Sequence, residues 1–105
     1  VIFKVVENMP EFPGGPAELI KYLSSNVKYP VIAQENGIQG RVIVQFTVRR
    51  DGTIDDVEVV RSADPNLDKE AIRVIKSMPN WKPGEQRGKK VNCKFTVPVV
   101  FKLQT

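Results

Sequence analysis

Residues 91–103, V-N-C-K-F-T-V-P-V-V-F-K-L, decide how the rest of the chain is read. Val91, Cys93, Phe95, Val97, Val99, Phe101 and Leu103 are all apolar; Asn92, Lys94, Thr96 and Lys102 between them are polar, with Pro98 and Val100 as exceptions. Side chains alternate faces along a strand, so this pattern predicts a long half-buried β-strand with one apolar face. Pro98 has no N–H to give to a ladder, which places the strand at a sheet edge with that position turned outward. A long edge strand is either a hazard that must be covered or a surface offered to a partner.

Just upstream, Trp81-Lys82-Pro83-Gly84 through Lys90 reads as an irregular, basic connector. Before it, Asp64-Pro65 supplies a helix N-cap and a proline at the first helical position. Leu67, Ala71, Ile72, Ile75 and Met78 then make an apolar stripe at helical spacing, which Pro79 stops. Residues 41–49 alternate again: Val42, Val44, Phe46 and Val48 point one way, and Arg41, Gln45, Thr47 and Arg49 the other, with Ile43 an apolar intruder. Asp51-Gly52 is a hairpin turn signal, and residues 54–61 return with Val57 and Val59 toward the core and Asp56 and Glu58 toward water. Tyr29-Pro30 separates two short helices, residues 17–25 and 31–36, with Gly37 ending the second. Residues 1–6 read as a short strand, and N-M-P-E-F-P-G-G-P after them as a stiff connector without regular structure.

Strand, hairpin, strand, helix, strand implies an α+β fold, a two-layer sandwich with helices packed on one face of a three-stranded antiparallel sheet. The strand of residues 41–49 takes the centre and the final strand an edge, with residues 1–6 a candidate fourth strand whose partner the pattern leaves open. At 105 residues the chain is one domain, comprising an N-terminal part (residues 1–28) and a core (29–105). It begins abruptly at the head of a strand-like run, which suggests a domain of a longer, membrane-anchored protein. No apolar run approaches the ~20 residues that cross a bilayer, and no signal peptide is present.

Composition narrows the chemistry. With 41% hydrophobic and 27% charged residues the chain is ordinary for a globular domain, and a net charge of +4 singles out no partner. One cysteine forbids an intramolecular disulfide, and Cys93 lies on the apolar face of the last strand. The chain has no histidine, which removes Ser–His and Cys–His nucleophiles, histidine bases and histidine-ligated metals. Asp55, Asp56 and Glu58 flank an exposed turn with no further ligand in view, so they read as a solvated face. Arg87, Lys89 and Lys90 could meet phosphates, but such runs are commonly solvated connectors. Trp81 reads as a plug for the open end of the core. Gly14-Gly15 lacks the phosphate-loop pattern, and the exposed face of Arg41, Gln45, Thr47 and Arg49 lacks the paired aromatics of an RNA-stacking sheet. No catalytic constellation, metal set or cofactor site emerges.

Taken together, Y-P-V-I-A-Q-E-N-G-I-Q-G-R-V-I-V-Q-F-T-V, the D-G turn, D-D-V-E-V-V-R-S, L-D-K-E-A-I-R-V-I, the W-K-P-G connector and the long closing strand resemble the C-terminal domain family of TonB. The likeness runs from Tyr29 to Leu103, and the preamble M-P-E-F-P-G-G-P-A-E-L-I-K-Y-L is similar to that of Bacteroidetes-type members. The resemblance implies a non-enzymatic, periplasmic domain of an inner-membrane-anchored energy transducer in a Gram-negative bacterium. It implies association with ExbB/ExbD through a part outside this chain. It also implies recognition of the TonB box, a short extended peptide of outer-membrane transporters for siderophores, cobalamin or glycans, as a strand added beside the last strand. Carried onto this sequence, the edge site is Lys94, Thr96, Pro98, Val100 and Lys102, and the segment facing the transporter plug is Asn26, Lys28 and Tyr29. Further expected partners are peptidoglycan and a second copy through the open edge; nucleic acid is not among them. Two other readings stay open, a partner-recruiting domain of an envelope sensor or membrane peptidase, and a polymer-binding module using Arg87, Lys89 and Lys90.

Overall fold

The computed structural model describes residues 1–103. Three helices, α1 (Pro16–Asn26), α2 (Val31–Glu35) and α3 (Pro65–Lys76), share one core with a five-stranded sheet. The strands are β1 (Ile2–Phe3), β2 (Gly40–Val48), β3 (Ile54–Arg61), β4 (Gly84–Gln86) and β5 (Lys89–Phe101). Spatial order is β1-β5-β2-β3, with β4 attached to the start of β5. The α+β class and the β3-β2-β5 order follow the alternation of the sequence. The sheet itself is larger than three strands and is mixed, because β1 runs parallel to β5.

The alternating apolar positions converge. Val42, Val44, Phe46 and Val48 of β2 and Val97, Val99 and Phe101 of β5 are buried, and Val57 and Val59 pack against the same cluster. From α3 come Leu67, Ala71, Val74 and Ile75. Val74 is fully buried and Ile72 only half-buried, so the buried face of α3 is centred on Leu67, Ala71, Val74 and Ile75. Asp64 caps α3: its carboxylate accepts from the Asn66 N–H at 2.9 Å, while Pro65 begins the helix. Trp81 does close the core, 3% exposed, with its ring edge-to-face against Phe12, Phe46 and Phe95.

The ends of the chain correct the sequence reading. The strand expected over residues 1–6 shrinks to Ile2–Phe3, because the backbone then turns away from β5 toward β4. The Pro/Gly connector is irregular as expected, yet bridges at Asn8–Glu85 and Glu11–Lys82 hold it, and Phe12 is buried beneath Trp81. The connector expected over residues 81–90 contains a hairpin: β4 pairs with β5 across a two-residue turn at Arg87-Gly88, whose φ angles are 53° and 75°. Positive φ at both central positions matches the right-handed twist of the flanking strands. Lys89 and Lys90 therefore belong to β5, and that strand starts earlier than its alternation reveals.

Candidate functional site

Along one side β5 is fully engaged. Its residues from Cys93 to Phe101 pair with β2 from Val48 to Gly40 without a register shift. On the other side β1 meets only Asn92 and Cys93, and β4 reaches only Lys89 to Val91. Among the described residues, nothing pairs with residues 94–101 on the side away from β2.

Pro98 fixes which backbone groups face outward. It lies opposite Ile43 in an unbroken ladder yet has no N–H, so this pair cannot exchange the two hydrogen bonds of a bonded pair. Its carbonyl must therefore point away from β2. Backbone groups alternate sides along a strand, so Thr96 and Val100 each turn an N–H and a C=O to the open edge, Pro98 a C=O alone, and Lys94 a C=O, its N–H being taken up in the pairing of Phe3 beside Cys93. Thr96, Pro98 and Val100 have exposed side chains, Val100 being 58% exposed, whereas Lys94 is half-buried in a cleft with Ile2, Thr47 and Asp56.

Of the residues expected near the helix junction, Lys28 and Tyr29 share one cleft and Tyr29 also reaches a second. Tyr29 donates its hydroxyl to the Ile38 carbonyl and sets its ring edge-to-face on Phe101, with centroids 5.6 Å apart. Together with Gln34 it borders a cleft shared with Lys102 and Leu103, so Tyr29 joins the end of the open edge. Tyr29 also lines a second cleft, together with Lys28, Lys69, Glu70 and Arg73. Asn26 ends α1, and its side-chain amide donates to the Tyr22 carbonyl at 2.8 Å.

Glu70 escaped the sequence reading. Its carboxylate accepts the Lys28 N–H at 2.6 Å and two bonds from Arg73, at 2.6 and 2.7 Å, while Arg73 also donates to the Asn26 carbonyl at 2.9 Å. Burial pushes the Glu70 carboxyl up, but the Arg73 guanidinium and the Lys28 N–H outweigh it and hold it below its usual range. This clamp fixes the α1–α2 junction onto α3. An E-x-x-R spacing at helical register was the available signal, but such pairs are commonly solvent-exposed and the spacing carries no sign of burial.

The remaining polar groups make no site. Arg49 pairs with Asp55, which lowers the carboxyl of Asp55, and lies 4.0 Å from Asp56. Among the described residues, no group of three or more carboxylate or cysteine ligands is placed to hold a metal ion. Cys93 is buried, and burial pushes its thiol up, which suits a packed core residue. No described helix is long and apolar enough to cross a membrane.

Comparison with known proteins identifies the family. Residues 25–103 match the family model for the Gram-negative bacterial TonB protein C-terminal. The chain is 35% identical over 83 residues to protein TonB of Helicobacter pylori (strain 26695), covering 78% of this chain and 28% of that protein. It is 36% identical over 76 residues to protein TonB of Pseudomonas aeruginosa, covering 72% of this chain and 22% of that protein. The chain thus spans less than a third of either relative's length. The solution structure of the H. pylori TonB C-terminal domain superposes with a TM-score of 0.65 at 28% identity, covering 89% of this chain and 88% of that one. The P. aeruginosa domain gives 0.58 at 34% identity, covering 74% and 79%. The chain belongs to the family of Gram-negative bacterial TonB C-terminal domains.

Proposed function

We propose that this domain is the periplasmic end of a TonB-type energy transducer and grips the TonB box of outer-membrane transporters by strand addition to β5. The observation that carries the reading is the unpaired stretch of residues 94–101, regular in register and turned outward at Lys94, Thr96, Pro98 and Val100. An extended peptide laid there completes hydrogen bonds that water now satisfies, each worth about 0.5–1.5 kcal/mol net. Loaded along its axis, such a ladder resists as a set, which suits the passing of work derived from a proton gradient. Anchoring in the inner membrane and contact with ExbB/ExbD fall to parts of the protein outside this chain. Tyr29 and Lys102 border one cleft at the end of the edge, which supports a contact there with the folded body of the transporter.

Titration of the isotopically labelled domain with TonB-box peptides, followed by NMR, tests the reading. Chemical-shift changes are expected along residues 94–101 and around Tyr29, insensitive to moderate salt. Silence of that strand across a broad peptide panel would overturn it.

A further inference from the structure

Helix α1 is not buried at any position, and Tyr22 ties it to the end of α3 through a hydroxyl bond to the Ser77 carbonyl at 2.8 Å. Held this way, α1 faces β5 across a groove. Ile20, Leu23, Ser24 and Val27 lie at successive helical steps on one stripe, and Ile20 is 69% exposed. Between this stripe and Pro98, Val99 and Val100 lies a groove of about 300 Å³. No charged side chain lines it.

The groove and the open backbone of β5 are continuous, since Pro98 and Val100 belong to both. A strand added to β5 lies ~4.8 Å beyond it, and its side chains alternate between the helix side and the outer side of the sheet. Those on the helix side face the groove between β5 and α1. The volume stands at the lower end of ligand pockets, room for one or two aliphatic side chains and too small for a helix. A carboxylate or ammonium placed there meets no partner and loses its hydration.

We propose that this groove is a side-chain selectivity pocket: the strand bound at β5 is chosen by an aliphatic residue, valine, isoleucine or leucine, seated against Ile20, Leu23 and Val27. The inference rests on the strand-addition reading above and adds a chemical requirement to it. Backbone pairing alone accepts almost any extended sequence; the pocket accepts a phase. Within the bound peptide, one set of alternate positions tolerates polar residues, and the other contains at least one position that does not.

The test is a scan of a TonB-box peptide in which each position in turn is replaced by Ala and by Asp, with affinity for the labelled domain measured by NMR. At the seated position, Ala is expected to weaken binding about tenfold and Asp about a hundredfold, with little effect at its immediate neighbours. Ile20→Lys, at an exposed site, should leave the fold intact, weaken the parent peptide, and restore much of the binding of the Asp peptide. If β5 responds equally to all peptides and Ile20→Lys changes nothing, the pocket is refuted while strand addition survives. If no peptide moves β5, the reading beneath it fails as well. Concentration-dependent dimerisation that Ile20→Lys abolishes, with no peptide preference, would assign the groove to a second copy and overturn the proposal.

Discussion

The β3 edge and the β5 edge bound the same sheet from opposite sides. β3 departs twice from regular pairing with β2, near Ile43/Val44 and between Gln45 and Thr47, and the second irregularity carries Asp56 at a φ of 51°. Asp55, Asp56 and Glu58 are exposed along it, and Arg49 reaches over to pair with Asp55. Bulges and charges of this kind twist and solvate an edge so that no further strand can join. β5 pairs with β2 through nine consecutive positions without a shift and keeps a straight run of outward backbone groups. Its one guard is Pro98, which subtracts a single donor. Protection against unwanted pairing is concentrated on β3, and the edge proposed to take a partner has little of it.

The strongest way to break this comparison uses proline on adjacent residues of β5. Val97→Pro deletes an N–H directed at β2 and should destabilise the domain by on the order of 3 kcal/mol, seen as a lower urea midpoint by circular dichroism. Thr96→Pro deletes an outward N–H; stability should stay within about 1 kcal/mol of the parent while TonB-box affinity falls roughly threefold to tenfold. Equal loss of stability in both variants would mean that the two sides of β5 are not distinct.

A smaller effect comes from the far edge. Gly52 sits at φ 88° in the β2–β3 turn, and a Cβ added there runs into the Trp81 carbonyl oxygen. Gly52→Ala should cost about 2 kcal/mol, measured by thermal unfolding, and leave peptide affinity of the folded fraction unchanged. An affinity change would show that the two edges are coupled.

The smallest effect concerns neither edge but the Glu70 clamp between α3 and the α1–α2 junction. Because the Glu70 carboxyl is held below its ordinary value of 4.5, its stabilisation is present above that value and lost as pH falls through the lowered one. Glu70→Gln should remove about 1 kcal/mol of this pH-dependent stability. Urea midpoints at neutral pH and near pH 3 check it: the gap between variant and parent should close in acid.

Much of this was legible because it is local. The period of two in β2 and β5, Asp51-Gly52, and Asp64-Pro65 each specify backbone geometry from a few adjacent residues, and Pro98 alone pointed to an edge. What stayed hidden depends on distant partners. Nothing local tells Ile2–Phe3 that it will lie along Asn92–Cys93, or Phe12 that it will slide beneath Trp81. The β4–β5 hairpin was missed because Arg87 stands where asparagine or aspartate ordinarily announces such a turn. For the edge site, its line of residues was readable, but the groove between it and α1 was not, since Ile20 looks like any apolar residue on a helix.

The placement of Trp81 has an optical consequence. It is the chain's single tryptophan, nearly dry, ringed by Phe12, Phe46 and Phe95, and its indole N–H has no hydrogen-bond partner among the described residues. Its fluorescence should therefore be blue-shifted in the folded domain and move to the red only when the core opens. Because its ring packs on the inner face of the sheet, that emission is blind to a strand arriving at the open edge, and the domain carries its own means of telling a lost fold from a lost partner.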